Sequence, residues 1–232
     1  MTAAILTEGL PQVGAEVSCI PALEQFSRLL LEKNQVMNLT AITDPDQVAT
    51  LHFLDSLAVW QGADLSGKDV IDVGTGAGFP GVPLKIAHPD VRLTLLDSLN
   101  KRVDFLREVC EALSLTDVAC VHGRAEEFAA GHRERYDAAV SRAVANLRLL
   151  AELCLPLVKV GGVFLAMKST DCEEELAEAK NAIKLLGGKT ERVVDYTIPT
   201  TDVVHRLVVI RKLSPTPAKY PRRFAQIKKQ PL

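Results

Sequence analysis

From Lys68 onward, short apolar runs alternate with stretches of helical period. The apolar runs are "DVIDV", "VRLTLLD", "DVACVH", "YDAAVSR" and "GVFLAMK". Between them lie "PGVPLKIAH", "NKRVDFLREVCEALS", the short "RAEEFAA" and "NLRLLAELCLPLV", and "EEELAEAKNAIKLLG" follows the fifth. Strand, helix, strand in repetition predicts a parallel sheet with helices on both faces. The end of the chain breaks the rhythm. "KTERVVDYTI" and "VVHRLVVIRK" are joined only by "PTTD". Parallel neighbours need a crossover of about a dozen residues or more, so this pair is an antiparallel hairpin. The expected architecture is α/β, five parallel strands closed by a terminal hairpin.

The first 65 residues read differently. "PALEQFSRLLLEKN" sets Leu23, Phe26, Leu29 and Leu30 at helical spacing behind Pro21. "NLTAITDPDQ" reads as a loop in which Asp44 caps a second helix, with Pro45 at its first position and "DQVATLHFLDSLAVW" as its body. The tail "SPTPAKYPRRFAQIKKQPL" shows no helical period and reads as an extended arm. The chain thus divides into a helical N-terminal extension (1–66), the sheet domain (67–213) and a basic C-terminal arm (214–232), together one compact unit.

Composition narrows the classes. With 47% hydrophobic and 24% charged residues the chain is not disordered. No apolar run approaches the ~18 residues of a membrane span, and the N-terminus lacks the pattern of a secretory leader. Five scattered cysteines without a C-x-x-C pair fit free thiols in a reducing cytoplasm and argue against a zinc site. The net charge of −2 hides an asymmetry: residues 212–232 carry six basic residues and no acid. The remainder holds 21 basic residues against 29 acids. Lys219, Arg222, Arg223, Lys228 and Lys229 are therefore candidate contacts to a polyanion, a solubilising terminus being the alternative. Nothing calls for an obligate dimer, and a monomer is expected.

"VIDVGTGAGFPG" (70–81) carries the strongest local signal. Gly76, Gly78 and Gly81 fit the dinucleotide fingerprint G-x-G-x-x-G, while Asp72, Gly74, Gly76 and Gly78 fit an S-adenosylmethionine loop equally well. Both ligands present an anionic group to free N–H groups at a helix start, here near Pro80. Asp97 ends the second strand nineteen residues after Gly78, where a carboxylate can accept from both ribose hydroxyls. Both ligands contain a ribose, so Asp97 does not choose between them. The terminal hairpin does bear on the choice. A nicotinamide-binding domain continues with a parallel strand, whereas five parallel strands plus a hairpin is the Rossmann-like, seven-stranded arrangement of S-adenosylmethionine-dependent methyltransferases.

Further residues sit on the carboxyl edge of that sheet. Gly123 to Glu126 follow the third strand, where the adenine of the cofactor would lie. Arg142 follows the fourth strand and Arg124 opens toward the same edge; each can grip phosphate or a guanine edge, or simply pair with an acid. There is no Pro-Cys pair for covalent attack on cytosine C5, and no Asn-Pro-Pro-aromatic loop for an exocyclic nitrogen. An atom with a free lone pair, such as guanine N7, needs only positioning. No general base is inferred.

Taken together, "NLTAI", "HFLDSL", "DVGTGAGFPGVPLKI", "LLDSLNKRVDFL", "GRAEEF", "VSRAVA" and the "YPRR…KKQPL" ending resemble the bacterial RsmG (GidB) 16S ribosomal RNA guanine-N7 methyltransferases from about residue 20 onward. The resemblance implies a cofactor site of Gly74, Phe79, Ala125, Glu126 and Arg142, with Asp97 and Ser98 near the ribose. It implies methyl transfer to N7 of one guanine of the decoding region, conventional nucleotide 527, in 16S rRNA of the small ribosomal subunit. Arg124 and Arg142 match a pair of arginines near the reaction, and His52, Asp55 and Ser56 match a segment near the substrate face, with packing and capping on a helix the preferred reading for these three. The sequence departs from the family at Lys168-Ser169 and at Phe224–Ile227, leaving a turn and the tail contact open. An NAD-dependent oxidoreductase, or a non-catalytic rRNA-binding protein on the same scaffold, are the competing readings.

Overall fold

A computed structural model describes residues 1–142 and 145–232. Ala143 and Val144, within the "VSRAVA" stretch, lie outside the described residues. The N-terminal part contains α1 (Thr2–Gly9), α2 (Ile20–Met37), α3 (Pro45–Gln47) and α4 (Asp55–Leu57). The alternating part follows as β1 (Asp69–Val73), α5 (Gly81–Ala87), β2 (Arg92–Asp97), α6 (Asn100–Ala112), β3 (Val118–His122), α7 (Ala125–His132), β4 (Tyr136–Arg142), α8 (Leu147–Cys154), β5 (Val158–Ser169) and α9 (Glu173–Leu185). It closes with β6 (Gly188–Thr197), β7 (Val204–Lys212) and α10 (Phe224–Lys229).

The seven strands form one sheet in the order β3-β2-β1-β4-β5-β7-β6. β1 to β5 pair in parallel, and β7 runs antiparallel to both β5 and β6. The hairpin expected from the short "PTTD" connection therefore inserts its second strand against β5 and leaves its first at the edge. β5 starts ahead of its apolar run, carried past a register shift opposite Tyr136 and Ala138.

Two apolar layers cover the two faces. One joins Leu23, Phe26, Leu30, Phe53 and Leu57 of the N-terminal helices to Val70, Leu93, Leu95 and Leu165 of the sheet. The other packs Leu147, Leu150, Leu153 and Ile183 against Ile71, Phe164 and Val208. The N-terminal helices are thus one wall of the core. Asp44 caps as expected, accepting from the N–H groups of Asp46 and Gln47. The second helix is not uniform, however. Val48–Leu54 form π-helical turns, which the apolar period alone does not signal. Within them, the Leu51 and His52 carbonyls accept from the Arg142 side chain, 91 and 90 residues away.

The extended arm expected at the C-terminus is corrected by the structure. Tyr220 and Ile227 are buried, and Ile227 sits on the short helix α10. Arg133 donates to the Tyr220 and Thr216 carbonyls, and Arg148 to those of Pro231 and Leu232. A two-turn helix is too short to leave a periodic signature, and its order comes from the surface it docks on.

Candidate active site

The glycine loop leaves β1 and is folded back by its own hydrogen bonds. The Gly74 and Thr75 N–H groups donate to Leu96 O of β2, and the Gly78 and Phe79 N–H groups to Thr75 O. Gly74, Gly76 and Gly78 all take positive φ. Asp72, fully buried at the end of β1, ties the loop to α5: its Oδ2 accepts from Thr75 Oγ1 at 2.7 Å and from the Gly81 N–H at 2.8 Å. Its Oδ1 has no hydrogen-bond partner among the described residues. Burial pushes this carboxyl up to about 7, against the opposing pull of those two donors.

A cavity of about 390 Å³ opens over the loop, lined by Thr40, His52, Gly74, Gly76, Phe79, Asp97, Ser98, Arg102 and Arg142 among others. Its volume is that of a small-ligand site. Asp97 is nearly buried; its Oδ2 accepts from the Gly76 N–H at 2.9 Å and its Oδ1 from the Leu99 N–H at 2.9 Å. The Gly123 N–H donates to Asp97 O, which brings the turn after β3 alongside. At Gly76, with φ +61°, a side chain would meet nothing within 4 Å. That bare backbone and the anchored carboxylate fit a nucleoside with an amino-acid tail: Asp97 and Ser98 toward the ribose, the Gly74–Gly76 backbone toward the carboxylate.

Beside it lies a second cavity of about 720 Å³, lined by Leu51, His52, Asp55, Arg142, Lys168, Ser169, Glu175 and His205 among others. His52 and Arg142 line both cavities. Arg142, at the end of β4, is held on every side. Its Nη1 donates to Asp55 Oδ2 at 2.8 Å and to Leu51 O at 3.1 Å, its Nη2 lies 3.1 Å from His52 Nδ1, and its guanidinium stands 4.9 Å from the Phe79 ring centroid. Phe79 is itself stacked on His52 at 4.4 Å and packed against Phe26 and Phe53.

Asp55 is 2% exposed and shared. Besides Arg142 it takes the Tyr196 hydroxyl and His205 Nδ1, both at 2.8 Å on Oδ1. Burial alone would raise this carboxyl, but the His205 hydrogen bond, Arg142 and Tyr196 outweigh it and leave it below the usual carboxylate range. Burial, with Arg142 beside it, lowers His52 to about 4, so its imidazole is neutral. The hydrogen bond to Asp55 raises His205.

The sequence-predicted residues separate accordingly. Gly74, Gly76, Phe79, Asp97, Ser98 and Arg142 meet around one cavity. Gly78 instead packs beneath the loop against Val82 and Leu106. Ala125 and Glu126 open α7 beyond the turn at Gly123, outside the lining of either cavity. Arg124 is not brought to Arg142: it is exposed, lines neither cavity, and its guanidinium lies 5.4 Å from the Phe224 ring of α10. Of the tail cations, Lys219, Arg223, Lys228 and Lys229 are exposed. Arg222 is not available to a polyanion. Its backbone N–H, Nε and Nη2 all donate to Glu152, whose side chain is fully buried. Lys212, counted with the basic end, is buried as well, its Nζ on Leu155 O and Thr216 Oγ1.

Asp55 and His52 hold Arg142 as well as packing, and Ser56 donates to His52 O one turn back within the helix, so it does not act as the cap that was expected. Tyr196 and His205 join the site without a sequence signal. They lie in apolar strand runs on the terminal hairpin, and nothing local distinguishes them from sheet residues.

Solved structures share this architecture. TrmN from Thermus thermophilus superposes with a TM-score of 0.54 over 68% of this chain and 48% of its own, at 20% identity. TYW2 from M. jannaschii, solved in complex with AdoMet, gives 0.54 over 67% and 72%, at 14% identity. These likenesses show the fold; the class, an S-adenosylmethionine-dependent methyltransferase, is shown by the family that the chain matches. Residues 19–204 match the GidB family, rRNA small subunit methyltransferase G. Proteins of that description from Alkaliphilus metalliredigens and Alkaliphilus oremlandii are 49% and 50% identical, each over 98% of both chains. The chain belongs to this family.

Proposed function

We propose that the chain transfers a methyl group from S-adenosylmethionine to N7 of a guanine in 16S rRNA of the small ribosomal subunit, at conventional nucleotide 527. When bound, the cofactor supplies a sulfonium-activated methyl group. The observation that carries the reading is the electrostatics of the wall shared by the two cavities. Arg142 is neutralised by buried Asp55, and His52 is held uncharged. A cationic methyl donor can therefore sit against this wall without like-charge repulsion. Asp55 is already engaged by three donors, so it anchors Arg142 and is no free base. With that carboxylate engaged, the site is suited to positioning, which is all that a neutral lone pair such as guanine N7 needs.

Exposed Lys219, Arg223, Lys228 and Lys229 support contact with an RNA backbone. The intact glycine loop weighs against a non-catalytic RNA-binding protein on this scaffold. Among the described residues no helix is long and apolar enough to cross a membrane, and a monomer acting in the cytoplasm fits the reading. The test is methyl transfer from labelled S-adenosylmethionine to small subunits lacking the modification, with naked 16S RNA, 23S RNA and tRNA alongside. Mass spectrometry is expected to find 7-methylguanine at one 16S site; methyl on another atom or another RNA overturns the reading.

A further inference from the structure

His205 donates its Nδ1–H to the buried Asp55 carboxylate, and Tyr196, its register partner on β6, donates to the same oxygen. This fixes the ring and its tautomer. Nε2 is left without a hydrogen-bond partner among the described residues, and His205 lines the 720 Å³ cavity that adjoins the cofactor pocket across His52 and Arg142. An imidazole held by a buried carboxylate, with its free nitrogen on a cavity, is an oriented acceptor.

Given the guanine-N7 reading above, we propose that His205 is a substrate-contacting residue whose neutral Nε2 accepts a hydrogen bond from the N1–H edge of the guanine in the second cavity, with Asp55 and Tyr196 as its positioning residues. The chemistry favours such a contact. The N7 lone pair forms the new N–C bond as the C–S bond breaks, with its electron pair left on sulfur. The purine ring acquires the positive charge that the sulfonium gives up, and no proton has to leave. As that charge develops, N1–H becomes a stronger donor. A neutral acceptor on it therefore stabilises the transition state more than the ground state. A protonated His205 does the opposite: it cannot accept, and it sets a cation beside a ring becoming cationic.

The contact therefore makes transfer pH-dependent. The groups facing His205 are Asp55 and Tyr196 directly, Arg142 beyond Asp55, and His52, Lys168 and Glu175 around the cavity. Lys168 and Glu175 pair with each other. Arg206, next on β7, pairs with Asp195 and Glu173. The Asp55 hydrogen bond raises His205 above its ordinary value, whereas His52 is held near 4, so the two histidines titrate in separate ranges.

The experiment uses the full-length enzyme and small subunits lacking the methyl group, across pH 5–9, under single-turnover conditions. For the wild type the rate is expected to fall on the acid side with a midpoint above the usual imidazole value of about 6.5. The same midpoint is expected in the imidazole NMR titration of His205 in the free enzyme. His205→Asn keeps a donor for Asp55 and loses the distal acceptor. It is expected to bind S-adenosylmethionine as the wild type does, to lose about tenfold in rate at pH 8, and to lose the acid limb. His205→Gln, whose amide oxygen reaches the Nε2 position, is expected to recover part of the rate with a flat profile. An unchanged rate in His205→Asn, or a slower enzyme that keeps the wild-type acid limb, overturns the proposed hydrogen bond. Wild-type methylation of an atom other than guanine N7 overturns the underlying reading, and the proposal with it, whatever the His205 variants do.

Discussion

The Asp55 carboxylate holds the Arg142 guanidinium at 2.8 Å, although 87 residues separate them in the chain. Asp55 comes from the N-terminal helices and Arg142 from the end of β4, so this ion pair bolts the helical wall to the sheet where the two cavities meet. Both ends are removed from water: the Asp55 side chain is 2% exposed and that of Arg142 13%. Breaking such a pair costs about 3–5 kcal/mol, because the remaining charge is stranded. Asp55→Asn is expected to lower stability in urea unfolding by an amount in that range. It is also expected to slow methyl transfer at saturating cofactor by more than tenfold, because Arg142 then faces the cofactor pocket unneutralised. Arg142→Lys is not expected to rescue either property, since one ammonium cannot reach Asp55, Leu51 and His52 together.

The two glycines at 76 and 81 are expected to fail differently. Gly76 has φ +61° and open space where a Cβ would stand. Gly76→Ala should cost only about 1 kcal/mol of stability from left-handed strain. Its methyl group would intrude on the cofactor's side of the loop, and calorimetry should show cofactor affinity falling by tenfold or more. At Gly81 a Cβ would lie 2.5 Å from Leu95 Cδ2 and 2.8 Å from Asp72 Oδ2. Gly81→Ala should therefore cost about 1–3 kcal/mol through overpacking. Thermal unfolding without cofactor separates the two.

Asp72 links the loop to pH. Its folded value, raised to about 7, lies above the unfolded carboxylate value of about 3.9, so the native state holds the proton longer. Its contribution to stability is greatest below about pH 4 and declines as pH rises through about 7. Asp72→Asn keeps an acceptor for Thr75 and the Gly81 N–H and removes the charge. The variant is expected to equal or exceed the wild type at pH 8, by up to about 4 kcal/mol, and to show a flatter stability profile between pH 4 and 7. Urea unfolding across that range reads the slope directly; a wild type that gains stability as pH rises through this window, with Asp72→Asn unable to alter it, would rule the linkage out.

The basic tail is expected to split into two kinds of cation. Arg222 meets fully buried Glu152 through three donors, so Arg222→Ala should destabilise the fold by about 3–5 kcal/mol. Lys219, Lys228 and Lys229 are exposed. Replacing all three with Ser should leave the unfolding midpoint almost unmoved. It should lower RNA affinity and reduce the slope of log affinity against log salt by roughly one unit for each phosphate no longer neutralised. Filter binding at several salt concentrations, beside a melting curve, distinguishes the roles.

The sequence by itself determined the order and kind of the main elements and the cofactor loop. Those features are written in local periods: strands and helices in alternation, a connection too short for a crossover, and glycines placed where the backbone must bend close to a ligand. Asp97 was legible for the same reason, standing at a strand end at a fixed distance from the loop. Which partners hold the charged candidates, and which of those candidates line a cavity, was decided only by the tertiary structure. Arg142 and Arg222 look alike in the chain. One is clamped between two cavities by Asp55 and the other is occupied by Glu152. His205 and Tyr196 sit in ordinary strand runs until the antiparallel hairpin carries them to Asp55. Arg124, the expected companion of Arg142, lies instead against Phe224 of the docked tail. Local spacing cannot report such partnerships. A charge is worth little in water and a great deal when burial leaves it only a few neighbours, and burial is a property of the packed chain.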